Sequence, residues 1–200
     1  QTTDAYVVQT LKRIPPVSFA QAISNLPNRI KLIWKPHPDS RIQYYRVEKF
    51  NTNLNQWIYL KTINQRLSVE YIDTGLDNNS SYKYRIKAFT FNDVESAPTA
   101  DIIAKTKALP LGASNIRISD NIPKKIFLTW DASTSSDIVK YEIHRSIYSS
   151  FGYKKIVSLN AQTLEYTDKT DDDGRIYYYK VIAVDKDGLV TGLKAGKTTV

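Results

Sequence analysis

Tyr82-Lys83-Tyr84-Arg85-Ile86-Lys87-Ala88 returns 95 residues later as Tyr177-Tyr178-Tyr179-Lys180-Val181-Ile182-Ala183. In both copies Tyr, Tyr, Ile or Val, and Ala fall on alternate positions, which places them on one face of a β-strand. The repeat extends outward from this strand. Upstream, Asn25-Leu26-Pro27 with Ile30, Leu32 and Trp34 recurs as Asn121-Ile122-Pro123 with Ile126, Leu128 and Trp130, a shift of 96. Tyr45 and Val47 recur as Tyr141 and Ile143, and Tyr71 and Asp73 as Tyr166 and Asp168. A period near 96 is too long for one unit of a solenoid and suits one small all-β domain. The chain therefore reads as a duplication, and function is best sought where the copies differ.

The 200 residues contain no Cys, which excludes disulfides, so each copy must hold together on its own core. Period-two alternation dominates, no stretch keeps helical periodicity over three turns, and no window is long and apolar enough for a spanning helix. Turn residues separate the strands at Asp77-Asn78-Asn79-Ser80, Asp172-Asp173-Gly174 and Asp187-Gly188. The expectation is seven strands per repeat in a sandwich. Net charge is +8, with the larger excess in residues 15–109. The Lys and Arg alternate with apolar residues and form no block, so a solvated strand face is expected and nucleic-acid binding is not.

The strand residues resemble fibronectin type III domains: Trp34 and Trp130 on the second strand, a Tyr-x-Val/Ile eleven residues on, and Leu76 six residues before Tyr82. The resemblance implies all-β immunoglobulin-like sandwiches in tandem, with Tyr82 and Tyr177 as the corner tyrosines. It covers nearly all of 15–200 and gives two domains, 15–109 and 110–200. The second copy departs at Thr170, where the first has Leu76, so its corner is expected to close differently. Residues 1–14 read as the last strand of an upstream repeat plus a linker, because Tyr6-Val7-Val8-Gln9-Thr10 resembles Ile102-Ile103-Ala104-Lys105-Thr106.

Catalytic chemistry finds little support. There are two His and no Gly-rich phosphate loop, and His144 lies on the polar face of its strand. The runs Asp171-Asp172-Asp173-Gly174 and Asp185-Lys186-Asp187-Gly188 lack the full oxygen-ligand series of a calcium loop. No catalytic residue, metal or cofactor is assigned.

The sharpest difference between the copies follows the Trp. The second has Asp131-Ala132-Ser133-Thr134-Ser135-Ser136-Asp137, and the first has Lys35-Pro36-His37-Pro38-Asp39-Ser40-Arg41. Two prolines restrict the loop before any partner arrives, and two cations bracket it. Trp34-Lys35-Pro36-His37-Pro38-Asp39-Ser40-Arg41-Ile42 resembles the fibronectin-binding segment of the fibronectin-like protein A family, campylobacter surface lipoprotein adhesins built from type III repeats. Six of nine positions are identical; Ser40 replaces an aromatic, and Lys35 replaces an Arg.

The resemblance implies a bacterial outer-membrane, surface-displayed adhesin that binds host fibronectin through these nine residues. Lys35, His37, Asp39 and Arg41 would make polar contacts, Pro36 and Pro38 would hold shape, and Trp34 would sit in the core. A membrane would be met only through an upstream lipid anchor outside this chain, and a monomer is expected. Asp77-Asn78-Asn79-Ser80-Ser81 resembles the extended bacterial N-glycosylation sequon, with Asn79 as acceptor. Two alternatives stay open: spacer repeats of a surface protein, and an accessory module of a carbohydrate-active enzyme. Tyr44 and Trp57 are the exposed aromatics the latter would use.

Overall fold

The computed structural model describes residues 13–120, 122–170 and 172–191. These residues form thirteen β-strands and no helix. The chain divides into two compact units at the junction of Ala108 and Leu109. The Tyr6–Thr10 segment lies outside the described residues.

In the first unit the strands are β1 (Ala20–Leu26), β2 (Arg29–Trp34), β3 (Ile42–Asn51), β4 (Gln56–Asn64), β5 (Glu70–Thr74), β6 (Ser81–Thr90) and β7 (Ile102–Lys105). They form one sheet of order β1-β2-β5 and another of order β4-β3-β6-β7, paired antiparallel throughout. Register explains the alternation. Tyr45 lies opposite Ala88 and Val47 opposite Ile86, so both strands turn the same apolar rows inward. Those rows meet Ile30, Leu32 and Trp34 from the other sheet, and all are essentially sealed from solvent. Trp34 packs edge-on against Tyr45 with ring centroids 5.4 Å apart.

The second unit contains β8 (Ser114–Ile118), β9 (Lys125–Asp131), β10 (Ile138–Ser146), β11 (Lys154–Asn160), β12 (Glu165–Lys169) and β13 (Tyr178–Asp185). Its sheets run β12-β9-β8 and β11-β10-β13. Leu128, Trp130, Tyr141, Ile143, Tyr179 and Ala183 form the equivalent core, with Trp130 and Tyr141 in the same edge-on contact at 5.8 Å. The seventh strand expected here would fall after Thr191, outside the described residues.

Each core meets a buried carboxylate at matched positions, Asp73 and Asp168. Asp73 Oδ2 accepts hydrogen bonds from Tyr84 Oη at 2.7 Å and Lys49 Nζ at 2.9 Å. Asp168 Oδ2 accepts from Tyr179 Oη at 2.7 Å and Arg145 Nη1 at 2.8 Å. Both carboxylates are 5% exposed, so each needs its donors to offset lost hydration. Burial pushes the Tyr84 and Tyr179 hydroxyls far above the ordinary phenol range and the adjacent carboxylate adds to it, so both remain donors.

The corners after β5 and β12 share one backbone link. Leu76 N–H donates to Asn28 O at 3.0 Å, and Thr170 N–H donates to Lys124 O at 3.1 Å. Asn28 and Lys124 share a left-handed backbone, φ 49° and 52°. The corner docks through its backbone on the same turn in both copies, so replacing Leu by Thr leaves this link intact. In the first unit Tyr82 Oη accepts from Asp77 N–H at 3.0 Å, the bond a tyrosine corner requires.

Candidate functional site

The loop between β2 and β3 (the B–C loop) is organised around His37, whose side chain turns inward and is 1% exposed. Its Nε2 lies 3.0 Å from Pro15 O, and its Nδ1 accepts from Asp39 N–H at 3.1 Å. A carbonyl can only accept and a backbone N–H can only donate, so these contacts assign the tautomer with its proton on Nε2. His37 N–H donates to Tyr45 Oη at 2.8 Å, and that hydroxyl donates to Arg66 O at 2.8 Å. Arg66 Nη1 closes the ring of contacts on His37 O at 2.9 Å.

The second unit performs the same tasks with serine. Ser133 N–H donates to Tyr141 Oη at 2.7 Å, its Oγ donates to Leu111 O at 2.7 Å, and Ser135 N–H donates to that Oγ at 3.1 Å. His37 is thus the larger counterpart of Ser133, a loop pin rather than a contact residue. The expectation that it meets a partner is corrected: both ring nitrogens are engaged inside the domain. His37→Ala should lower the first unit's stability by about 1–3 kcal/mol, because two backbone groups lose their partners. His37→Ser should recover part of that loss in urea unfolding, as serine serves this role in the other copy.

Asp39 and Arg41 bind each other. Asp39 Oδ1 accepts from Arg41 N at 2.9 Å and Nε at 3.0 Å, and Oδ2 accepts from Nη2 at 2.6 Å. The Arg41 hydrogen bonds hold the Asp39 carboxyl at about 2, below its usual 3.8, and the same pair raises Arg41. A depressed carboxylate contributes above its unfolded value and loses that contribution as pH falls towards 2. Asp39→Asn should therefore flatten the acid limb of the first unit's Tm between about pH 4 and 2.

Of the nine residues singled out, Trp34 and Ile42 are 3% and 2% exposed and belong to the core with His37. Ile42 thus corrects the expectation that its side chain takes part in contact. Lys35, Pro36, Pro38 and Ser40 face solvent, and Asp39 and Arg41 are half-buried. Lys35 Nζ rests 5.6 Å from the Phe19 ring centroid. Asn79 is exposed in its turn at φ 56°, a left-handed position asparagine tolerates.

The outer face of the larger first-unit sheet is not simply solvated. Lys83 lies over Phe50 at 4.9 Å, Arg85 over Trp57 at 4.4 Å, and Arg46 over Phe89 at 4.4 Å and Tyr59 at 5.9 Å. Arg85 pairs with Glu48, Lys87 with Glu95 and Lys83 with Asp101. Tyr44 stacks on Phe89 at 4.9 Å, and its hydroxyl donates to Asp93 at 2.9 Å. Trp57 packs edge-on against Phe50 at 5.3 Å. Both expected platform aromatics are half-buried members of this ladder.

The fold also gathers Asp137, Asp185 and Asp187, whose carboxylate oxygens lie within 4.8 Å of one another. The sequence did not group them because Asp137 arrives through the pairing of β10 with β13, where Ile138 faces Asp185. Asp185 Oδ1 accepts from Asp187 N and Leu189 N, which makes it the organiser of that turn.

Two sheets of order β1-β2-β5 and β4-β3-β6-β7, a buried Trp on β2 and a corner tyrosine at the start of β6 decide the architecture. The chain has the fold of two fibronectin type III sandwiches in tandem. No protein-family model matches it. Among solved structures, similar chains include the chicken CNTN1 FN1–FN3 domains, with TM-score 0.44 and 13% identity over 89% of this chain and 65% of that one. Another is a two-domain fibronectin type III segment from chicken tenascin, with TM-score 0.39 and 16% identity over 86% of this chain and 93% of that one. Curated relatives include an amylopullulanase of Thermoanaerobacter thermohydrosulfuricus, 26% identical over 168 residues. Exoglucanase B of Cellulomonas fimi is 26% identical over 198 residues. The match covers 83% and 90% of this chain but only 10% and 16% of those proteins. The type III tandem thus corresponds to a small part of each.

Proposed function

We propose that this type III tandem is a non-catalytic segment of a bacterial surface adhesin and that its first domain binds host fibronectin. In this reading it is displayed outside the outer membrane, held by an anchor beyond this chain, and acts as a monomer. One observation carries the reading: Lys35, Pro36, Pro38 and Ser40 stand in solvent on a loop that His37, Tyr45 and Arg66 fix from beneath. A loop ordered in advance loses little entropy on binding, and its two prolines reduce that loss further. The contact set is accordingly Lys35, the proline rims, Ser40 and the Asp39–Arg41 pair. The test is retention of the chain on immobilised fibronectin against albumin. Specific, saturable retention is expected, and equal retention on both surfaces would overturn it.

The two relatives named as glycan-degrading enzymes favour a second reading, an accessory module beside a catalytic domain. That reading expects retention on starch or cellulose and none on fibronectin. A pure spacer binds neither.

A further inference from the structure

A groove of about 740 Å³ opens on the first unit's β3–β4 face, within the range of about 300–1,000 Å³ typical of ligand sites. Tyr44, Arg46, Thr62, Asn64, Arg66 and Phe91 line it, and no acidic residue does. On this face Lys83, Arg85 and Lys87 each have a carboxylate, whereas Arg46 has none among the described residues. Its Nε is buried with no hydrogen-bond partner, while the Phe89 and Tyr59 rings hold the guanidinium plane. Arg66 at the groove's edge spends Nη1 on His37 O and likewise has no carboxylate.

The duplicate supplies a control. Arg46 faces Thr62 across β3 and β4, and Glu142 faces Ser158 across β10 and β11, so register makes Glu142 the counterpart of Arg46. Glu142 is held by Lys140 at 2.8 Å and Lys155 at 3.3 Å, and hydrogen bonding to Lys140 keeps its carboxyl at about 2, below the usual 4.5. The same place thus carries a fixed cation in one copy and a neutralised anion in the other.

The geometry points to a binding site in this groove for an acidic glycan, a chain of uronate sugars. A carboxylate matches the planar guanidinium fork of Arg46, and Arg66 adds a second cation. Thr62, Asn64 and Gln65 offer donors and acceptors for sugar hydroxyls. Phe91, 67% exposed at the rim, offers an apolar ring to the C–H face of a pyranose. This mixture of amides, a hydroxyl and an open ring around the cations favours a glycan over an acidic peptide, for which the charges alone would serve.

The test uses the full chain and a short oligogalacturonate, followed by amide NMR and calorimetry. Its methyl-esterified form serves as the uncharged probe and poly-glutamate as the acidic peptide. Oligogalacturonate should shift amides at Tyr44, Arg46, Asn64 and Phe91, and the ester should bind at least tenfold more weakly. Arg46→Glu, which installs the second domain's residue, should abolish binding, and Phe91→Ser should weaken it several-fold. Lys87→Gln, at a paired cation outside the groove, should leave it unchanged. Should Arg46→Glu disturb folding, Arg66→Gln provides an independent loss of charge with the same expected direction. Equal affinity for the ester, poly-glutamate binding as tightly as the glycan, or full binding by folded Arg46→Glu would each overturn the site. Because Lys35, Pro36 and Pro38 lie outside the groove, their substitution should leave glycan binding intact, whatever becomes of fibronectin binding.

Discussion

Trp34→Ala is expected to destabilise the first type III domain by about 3–5 kcal/mol, the usual loss for truncating a buried aromatic. Small domains have total stabilities of about 5–15 kcal/mol, so this change removes much of the first domain's margin. The side chain is 3% exposed, packs edge-on against Tyr45 and belongs to the same buried cluster as Leu32 and Ile86. Its indole Nε1 is buried with no hydrogen-bond partner, as is that of Trp130, so both contribute by packing alone. Trp34→Phe should therefore cost much less than Trp34→Ala, since it relieves an unpaired N–H while retaining a ring. In calorimetry the first domain's transition should fall by roughly 10–30 °C for the alanine variant. Trp130→Ala should do the same to the second. Unchanged thermal stability in Trp34→Ala, with binding abolished, would make Trp34 a contact residue instead.

Asp73→Ala carries the second large effect. It deprives Tyr84 Oη and Lys49 Nζ of a shared acceptor inside the core, and breaking a buried charge cluster from one side typically costs about 3–5 kcal/mol. Lys49 retains 21% side-chain exposure and can swing towards water, which places the value at the lower end. Asp73→Asn keeps one oxygen acceptor for Tyr84 and should cost less. Asp168→Ala should repeat the result in the second domain, where Arg145 replaces Lys49. Denaturant unfolding that found Asp73→Ala neutral would show that the cluster contributes no net stability.

These residues show what one sequence makes legible and what it hides. The sandwich was readable because period-two alternation is local and because Trp34, Tyr45 and Tyr84 recur in the duplicate. The Lys49–Asp73–Tyr84 cluster was present in the repeat as well, since Arg145, Asp168 and Tyr179 recur together. What hid it was distance along the chain: only folding brings three strands to one oxygen. His37 misled for a different reason. In a run of prolines and charges a histidine reads as solvent-facing, whereas the loop needs one inward polar group to hold Pro15 O and Asp39 N–H. Ser133 at the matched position, with Tyr141 below it, was the available signal. The Arg46 groove depends on the register between β3 and β4, which alternation alone does not fix. The sign reversal from Arg46 to Glu142 was nonetheless visible in the aligned repeats.

The proposed adhesive role turns on the exposed half of the B–C loop, and the second domain supplies the control. Lys35→Asp, Pro36→Ala and Pro38→Thr together install the residues of 131, 132 and 134 while leaving His37, Asp39 and Arg41 in place. The measurement is the equilibrium affinity of this triple variant for immobilised fibronectin, with its unfolding midpoint taken in parallel. Affinity should fall tenfold or more, about 1.4 kcal/mol, with little change in midpoint. A correctly folded triple variant that bound fibronectin as tightly as the parent chain would contradict the assignment of this loop as the adhesive site.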